Sequence, residues 1–443
     1  MRVVIVGAGE VGSNVAASLA DSHEVVVIDL DSDRVEALTY SLDVLPVEGD
    51  GSSLETLREA GVDEADMVIA CTDDDETNIV TCGTVQTVSE AFTIARVRTT
   101  KFLDTWEQSE GALGVDLMVG TNLLAAQSIV RVIGLPAAED VDRFADGLVQ
   151  MAEFPIDDES PVTGKSVAEA DTFDSLTFAA IIRDDEVVIP DGETCLLDGD
   201  DLVVIGSPES VSGFATTIAP GVDGVSDVMV FGGSDIGYET AQLLGQKGLH
   251  SRIVEPDPEH ARFLAEKLPD VTVLQNDPTD REFLQREHIA DVDVAIASLD
   301  SDEQNLLTAL LAKRLGADRA IAIVEDGDYA DLFEAVGVDV AVNPREAIAE
   351  EITRFTREKH AENVALIEDD RAEVLEVEVD AESVLVDRPI RESIADLPDG
   401  VVIGAITRDG AFVVPRGDTI IREDDHIVVF ASTAIVEEAM QLI

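Results

Sequence analysis

A glycine-rich turn occurs twice in this 443-residue chain, and that repetition restricts its fold more than any other feature. Gly7-Ala8-Gly9-Glu10-Val11-Gly12 follows an apolar run from Val3 to Val6, and Gly232-Gly233-Ser234-Asp235-Ile236-Gly237 follows one from Val228 to Phe231, an offset of 225 positions. A single turn of this kind is weak, but the landmarks around it repeat as well. Asp29 corresponds to Glu255 and Asp50 to Asp277, and the acidic loops after Met67 to Ala70 and Val294 to Ala297 end on Asn78 and Asn305. Later, Ile181 to Gly192, which includes Asp184 and Asp185, is echoed by Ala405 to Gly417. The repeating unit is therefore two modules, present twice.

Within the first module the pattern alternates strand and helix: strands near 3–6, 24–28, 44–47, 67–70 and 93–97, helices near 11–20, 33–42, 53–60 and 78–89. Such alternation predicts an α/β fold with a doubly wound parallel sheet, the Rossmann arrangement. Gly7 permits the tight turn, Gly9 lets the backbone approach a pyrophosphate, and Gly12 lets helix and strand pack closely. The helix start at Glu10 and Val11 then offers N–H groups and a partial positive charge to phosphate. Asp29 lies at the distance expected for an acid that binds both ribose hydroxyls, which favours NAD(H) over its 2′-phosphorylated form. In the second copy Gly232 and Gly237 persist, but Ser234 replaces the middle glycine and Glu255 the aspartate. That leaves the second cleft open to two readings, a nucleotide site or a retained structural copy.

Ligands of such sheets dock at the carboxyl ends of the strands, where Asp50 and the loop from Thr72 to Asn78 fall. Thr72 and Asp73 suit a helix cap with Asp74, Asp75 and Glu76 in the first turn; they also suit contact with the nicotinamide-side ribose. Arg96 and Arg98, at the end of the fifth strand, are the nearest cations for a phosphate. Cys71 stands where Ser298 stands in the other repeat, which marks a small strand-end residue rather than a nucleophile.

Composition removes several alternatives. Three cysteines without a CxxC pair argue against a disulfide framework or a zinc ribbon. No apolar stretch approaches the roughly 18 residues of a membrane span, and the amino terminus runs directly into a strand pattern, so a cytosolic protein is expected. The net charge of −64 is spread along the chain rather than held in a tail. Self-repulsion on that scale is relieved at molar salt, where the Debye length falls to about 3 Å, so adaptation to a highly saline cytosol is expected. Acid patches shaped for a basic partner would be local instead. Nucleic-acid binding is excluded for want of a basic stripe.

Together the duplicated turn, Asp29, the Asp74-Asp75-Glu76-Thr77-Asn78 loop, and small β-rich modules with Pro-x-Gly and Gly-Asp-Asp-Leu type strand pairs resemble the TrkA family over nearly the whole chain. That resemblance implies a nucleotide-binding regulatory subunit of a Trk potassium-uptake system, built from tandem RCK domains. It implies Gly7, Gly9 and Gly12 on the phosphates, Asp29 on the adenosine ribose, and Asp50, Thr72 and Asp73 on the rest of the ligand. The expected ligand is NAD(H), with ATP or ADP in some members. The expected partners are a potassium-translocating membrane protein and further copies of the chain closing a ring beneath it, on the cytoplasmic side of the membrane.

The corresponding division is Rossmann modules at 1–120 and 226–343, connecting helices at 121–140 and 344–366, and small α+β modules at 141–220 and 367–443. The first connecting helix is predicted over Thr121–Ile133, stopped by Leu135-Pro136; the second starts at Asn343-Pro344, a good N-cap and N1 pair, and runs towards Lys359. The small modules are expected to surround a βαβ-like core and carry no catalytic constellation. A dehydrogenase is the competing class, and it needs an acid/base beside the nicotinamide. His23, His250, His260, His288, His360 and His426 are poorly placed for it, and neither half leaves room for a large substrate domain. A soluble nucleotide sensor without a membrane partner is the third.

Overall fold

In the computed structural model the described residues are 1–20, 23–109, 112–135, 137–158, 160–183, 186–219, 225–357, 363–367, 371–381 and 383–443. Pro136, Asp184, Asp185, Lys359 and His360 lie outside them. The chain forms two compact units that cut across the repeat: Met1–Val130 with Ser226–Thr353, and Arg131–Val225 with Arg354–Ile443.

The first unit holds both parallel sheets. Its first copy runs β1 (Arg2–Val6), α1 (Glu10–Ala20), β2 (Glu24–Asp29), α2 (Ser32–Ser41), β3 (Val44–Glu48), α3 (Leu54–Glu59), β4 (Met67–Ala70), α4 (Asp75–Val85), β5 (Phe92–Val97), α5 (Thr100–Gln108), β6 (Leu117–Gly120) and α6 (Thr121–Ile133). The strand order β3-β2-β1-β4-β5-β6 reverses direction between β1 and β4, which opens a crevice above the carboxyl end of β1. Val3, Val4 and Ile5 are wholly buried, as a central strand covered by helices on both faces requires.

Five strands were legible in the sequence; the sixth, β6, and the helix α5 before it were not. Only four residues make β6, and α5 buries just Leu103, so neither leaves a periodic trace. Helix α4 begins three residues before the position expected, because Asp74 caps it and the acidic first turn belongs to it.

The small module of the first half follows in the second unit: β7 (Asp140–Phe144), β8 (Val149–Ile156), α7 (Val167–Ala170), β9 (Leu176–Arg183), β10 (Glu186–Val188), β11 (Asp200–Gly206) and α8 (Pro208–Ile218). Its sheet has the order β10-β9-β11-β8-β7, with every neighbouring pair antiparallel. The βαβ-like core is therefore a split one: β8 and β9 run the same way but β11 lies between them.

The second Rossmann copy comprises β12 (Asp227–Phe231), α9 (Asp235–Gln246), β13 (His250–Glu255), α10 (Pro258–Lys267), β14 (Thr272–Gln275), α11 (Arg281–Arg286), β15 (Val294–Ala297), α12 (Asp302–Leu315), β16 (Arg319–Ile323), α13 (Ala330–Ala335), β17 (Val340–Val342) and α14 (Pro344–Arg357). Its strand order, β14-β13-β12-β15-β16-β17, repeats the first. The last module is β18 (Asn363–Ile367), β19 (Ala372–Glu378), α15 (Ile390–Ser393), β20 (Val402–Arg408), β21 (Ala411–Val413), β22 (His426–Ser432) and α16 (Val436–Leu442), again with an antiparallel sheet.

Each unit is a pair of equivalent modules packed on each other. In the first, Thr100 Oγ1 donates to Glu239 Oε1 at 2.8 Å and Asn122 Nδ2 to Asp235 Oδ2 at 3.3 Å, while Arg345 Nη1 meets Glu10 Oε2 at 2.7 Å. In the second, Phe144, Met151, Ala180 and Val203 share one buried core with Val374, Ala405, Val428 and Phe430. The two sheets there approach closely enough that a Cβ on Gly404 would stand 2.6 Å from Ile205 Cδ1.

Candidate functional site

The crevice at the carboxyl end of β1 holds a cavity of about 580 Å³. Its wall includes Gly7, Gly9, Glu10, Val11, Asp29, Asp50, Thr72 and Asp73, so residues spread over the first 73 positions converge there. Gly12 lies just beneath: a Cβ on it would stand 1.9 Å from Gly7 O, which no other residue type tolerates. Gly7 has φ of +110°, the left-handed region that favours glycine. At Gly9 the constraint is different. A Cβ there would meet protein no nearer than Arg34 Nη1 at 4.0 Å, so the glycine keeps space open rather than filling a tight contact.

Helix α1 starts directly after Gly9, which has no side chain with which to cap it. The first N–H groups of a helix have no partner within it, so here they face the cavity with the positive end of the helix dipole. Asp29 ends β2 on the other side, where Oδ2 accepts from Ala8 N at 2.6 Å and Oδ1 from Asp31 N at 2.8 Å. Those bonds hold the carboxylate beside the turn.

The second copy differs at each of these points. Ser234 Oγ accepts from Gly237 N at 3.3 Å and contacts Ser298 Oγ at 2.6 Å, so the serine hydroxyl sits where a phosphate oxygen would and caps α9 itself. Glu255 Oε2 accepts from Gly233 N at 2.9 Å, as Asp29 does from Ala8. His260 Nε2 lies 2.8 Å from Gly233 O, and a Cβ on Gly233 would stand 2.3 Å from Leu264 Cδ1. Thus Gly232, Gly237 and Glu255 preserve the turn, with His260 and Leu264 of α10 packed beside Gly233.

The acidic loop is organised from within. Asp74 caps α4, accepting from Thr77 N at 2.7 Å, in place of the Thr72 and Asp73 expected for that role. Asn78, wholly buried, binds Thr72 through both its amide atoms and donates to Arg96 O at 2.9 Å, and Asn305 repeats this with Leu299 and Ile323 O. Asp75 is buried too and accepts from Arg98 N and Thr99 N. Asp73 pairs with Arg96 and Arg98; burial raises its pKa, but the two guanidinium groups outweigh that and hold it below the usual carboxylate range.

Neither arginine expected to meet a phosphate stands free. Arg96 is 3% exposed and committed to Asp73 and Thr121 Oγ1, and Arg98 is paired to Asp73 outside the cavity wall. The cations the sequence did not point to are Arg34, on α2, and Arg345, which enters the wall from the second copy. Asp50 accepts from the hydroxyl and amide of Ser52, which hold its pKa below 3.8, and Asp277 does the same with Thr279. This shared turn explains the repeated aspartate. His, Lys and Tyr are absent from the wall among the described residues.

Two doubly wound parallel-sheet modules, the first with a cavity at its glycine turn, and two antiparallel α+β modules define a tandem Rossmann-type protein. The TrkA-N domain matches residues 3–120 and 228–344, and the TrkA-C domain matches 151–218 and 374–443. The chain belongs to the TrkA family. A Trk system potassium uptake protein TrkA homolog from Methanosarcina mazei is 35% identical over 99% of both chains, and one from Archaeoglobus fulgidus is 36% identical over 100% of both. These relatives bear the name of an uptake protein and not of an enzyme. The GsuK RCK domain shares the fold with a TM-score of 0.61 at 19% identity, covering 99% of this chain and 95% of that one. A GsuK channel bound to NAD has the same score and identity, covering 100% of this chain and 78% of that one.

Proposed function

We propose that the chain is a cytosolic regulatory subunit that binds NAD(H) in its first cleft and gates a Trk-type potassium-translocating membrane protein. The observation that carries this reading is the uncapped start of α1 at Gly9, open to a cavity with the Asp29 carboxylate held beside the turn. Helix N–H groups suit the pyrophosphate, Asp29 suits the adenosine ribose, and Asp50, Thr72 and Asp73 border the remainder. ATP and ADP share the adenosine, ribose and phosphate groups that these residues read, so they compete for the same cleft. The second Rossmann copy serves as a structural partner, since Ser234 caps its helix and His260 and Leu264 pack beside its turn. The six-part division at 120, 140, 220, 343 and 366 gives each half one nucleotide module, one helix and one small module.

Regulation follows from differential affinity. A nucleotide that binds two arrangements of the subunit unequally shifts the population between them, and a difference of about 1–3 kcal/mol suffices for 5- to 150-fold coupling. The names borne by the relatives supply the process, potassium uptake. No helix among the described residues is long and apolar enough to cross a membrane, so in this reading the pore belongs to a partner. Self-association into a ring would bring several clefts to one pore.

The test is calorimetry with NADH, NAD and ADP in molar KCl, followed by purification from membranes at high salt. One nucleotide per chain, a potassium transporter that co-purifies, and flux altered by NADH support the proposal. Binding without any membrane partner favours the soluble sensor, and substrate-dependent turnover of NADH restores the dehydrogenase.

A further inference from the structure

Arg345 belongs to the second Rossmann copy yet lines the nucleotide cavity of the first. It stands in the first turn of α14, capped by Asn343, whose Oδ1 accepts from Arg345 N at 2.8 Å. Its guanidinium meets Glu10 Oε2 at 2.7 Å and lies 3.5 Å from Glu325 Oε2. Glu10 is the first residue of α1, beside the N–H groups that would receive phosphate. A carboxylate at that place repels an incoming diphosphate unless its charge is neutralised.

We infer that Arg345 is a phosphate-binding residue supplied by the second repeat, and that Glu10 holds it until a nucleoside diphosphate group binds and then yields it. This inference rests on the first cleft being a nucleotide site. On releasing the arginine, Glu10 keeps two donors on Oε1, Asn343 Nδ2 at 2.8 Å and Gly327 N at 3.3 Å. Arg96 also lines the cavity, but its guanidinium is tied to Asp73, Thr121 and the carbonyls of Cys71 and Thr72.

The duplicate interface shows that this arrangement is not a by-product of the repeat. Asp235 occupies the place of Glu10, and Asn122, the second residue of α6 as Arg345 is of α14, occupies that of Arg345, so a neutral amide stands there instead of a guanidinium. Asp235 accepts instead from Asn122 at 3.3 Å. Among the described residues, the equivalent pair is an ion pair at the first turn and an amide–carboxylate bond at the second. Arg345 also lies on the helix that carries the chain out of the Rossmann pair, since α14 continues past the unit boundary at Thr353. Exchange of Arg345 between Glu10 and phosphate therefore reports ligand occupancy to α14.

The full-length protein, with its circular dichroism spectrum checked for each variant, can be titrated with ADP-ribose and NADH in molar KCl. Arg345→Ala should weaken ADP-ribose about tenfold, the scale of one charge-assisted contact. Glu10→Gln should tighten it at least threefold by freeing Arg345, while still offering Oε1 to Asn343. In the Glu10→Gln background Arg345→Ala should still cost about tenfold, because the freed arginine is then what holds the phosphate. Unchanged affinity in Arg345→Ala, or weaker binding in Glu10→Gln, would show the pair to be an inter-module bridge only and overturns the inference while leaving the nucleotide site intact. Absence of binding to the wild type overturns both.

Discussion

At Gly9 and Ser234 one small side chain separates an uncapped helix start from a capped one. The serine hydroxyl takes one N–H of the first turn of α9, whereas glycine leaves α1 without a side-chain cap. Gly9→Asp places a carboxylate in that space, so NADH binding should disappear while the melting temperature stays within about 2 °C. Asp29→Ala removes the ribose acceptor and should weaken NADH at least thirtyfold by calorimetry, on the scale of a hydrogen bond to a charged group. The cysteines sort by burial. Desolvation pushes Cys71 up to about 12 and raises Cys82 as well, whereas Cys195 is exposed. A thiol reagent should therefore modify one cysteine in the folded chain and all three after denaturation; fast labelling of Cys71 would contradict its buried place beneath the turn. From the sequence Gly7, Gly12 and Asp29 were legible because their roles are set within a strand-turn-helix segment. Arg345 was not, since nothing local to α14 indicates a cavity more than 300 positions earlier.

The small modules repeat one device that no motif announced. Arg183 binds Asp200 through two bonds of 2.6 Å and Cys195 O at 2.9 Å; Arg408 binds Asp425 at 2.7 and 2.6 Å and Ile420 O at 2.8 Å. In both copies a buried aspartate at the start of a central strand is held by an arginine from the neighbouring strand and fixes the loop between them. Arg408→Ala leaves that carboxylate buried and unpaired, so it should cost about 3 kcal/mol in denaturant unfolding. Replacing Asp425 by Asn in the same background should recover part of the loss. Element boundaries were legible where apolar periodicity was strong: Thr121–Ile133 is helical as expected, and Asn343 caps α14. They were not legible at β6, where four residues carry the sixth strand, or at α4, where the cap is Asp74 rather than Thr72 or Asp73. Capping by one acid among seven consecutive polar residues depends on which φ/ψ the loop adopts, and Asn78, already within α4, sets that by binding Thr72.

For the whole molecule, charge governs the response to solvent. Burial, reinforced by Asp142 and opposed by Arg131 and the Val141 amide, pushes Asp140 up to about 6. Between that value and the ordinary 3.8 the folded chain binds a proton that the unfolded chain does not, so stability rises as pH falls through this window. Depressed groups act the other way. Asp425, which burial raises but Arg408 lowers further, contributes stability above the unfolded 3.8 that is lost as pH falls below it. With a net charge of −64 also shrinking on acidification, thermal stability should peak between about pH 4 and 6; a steady decline from pH 7 downward would contradict this sign. Raising KCl from 0.1 to 2 M should increase the melting temperature for the same electrostatic reason, as scanning calorimetry can check.

The sequence by itself determined the duplication, the doubly wound sheets and the intact turn with its acid, because strand period, helix period and glycine spacing act over a few residues. It left open how the four modules pair, what packs against each glycine turn and which cations face it. Tertiary structure decided these by packing like with like, Rossmann on Rossmann and small sheet on small sheet. That pairing sets Arg345 against Glu10 in one cleft, while α10 packs His260 and Leu264 beside Gly233 in the other. Such contacts join residues hundreds of positions apart, and no local pattern encodes them.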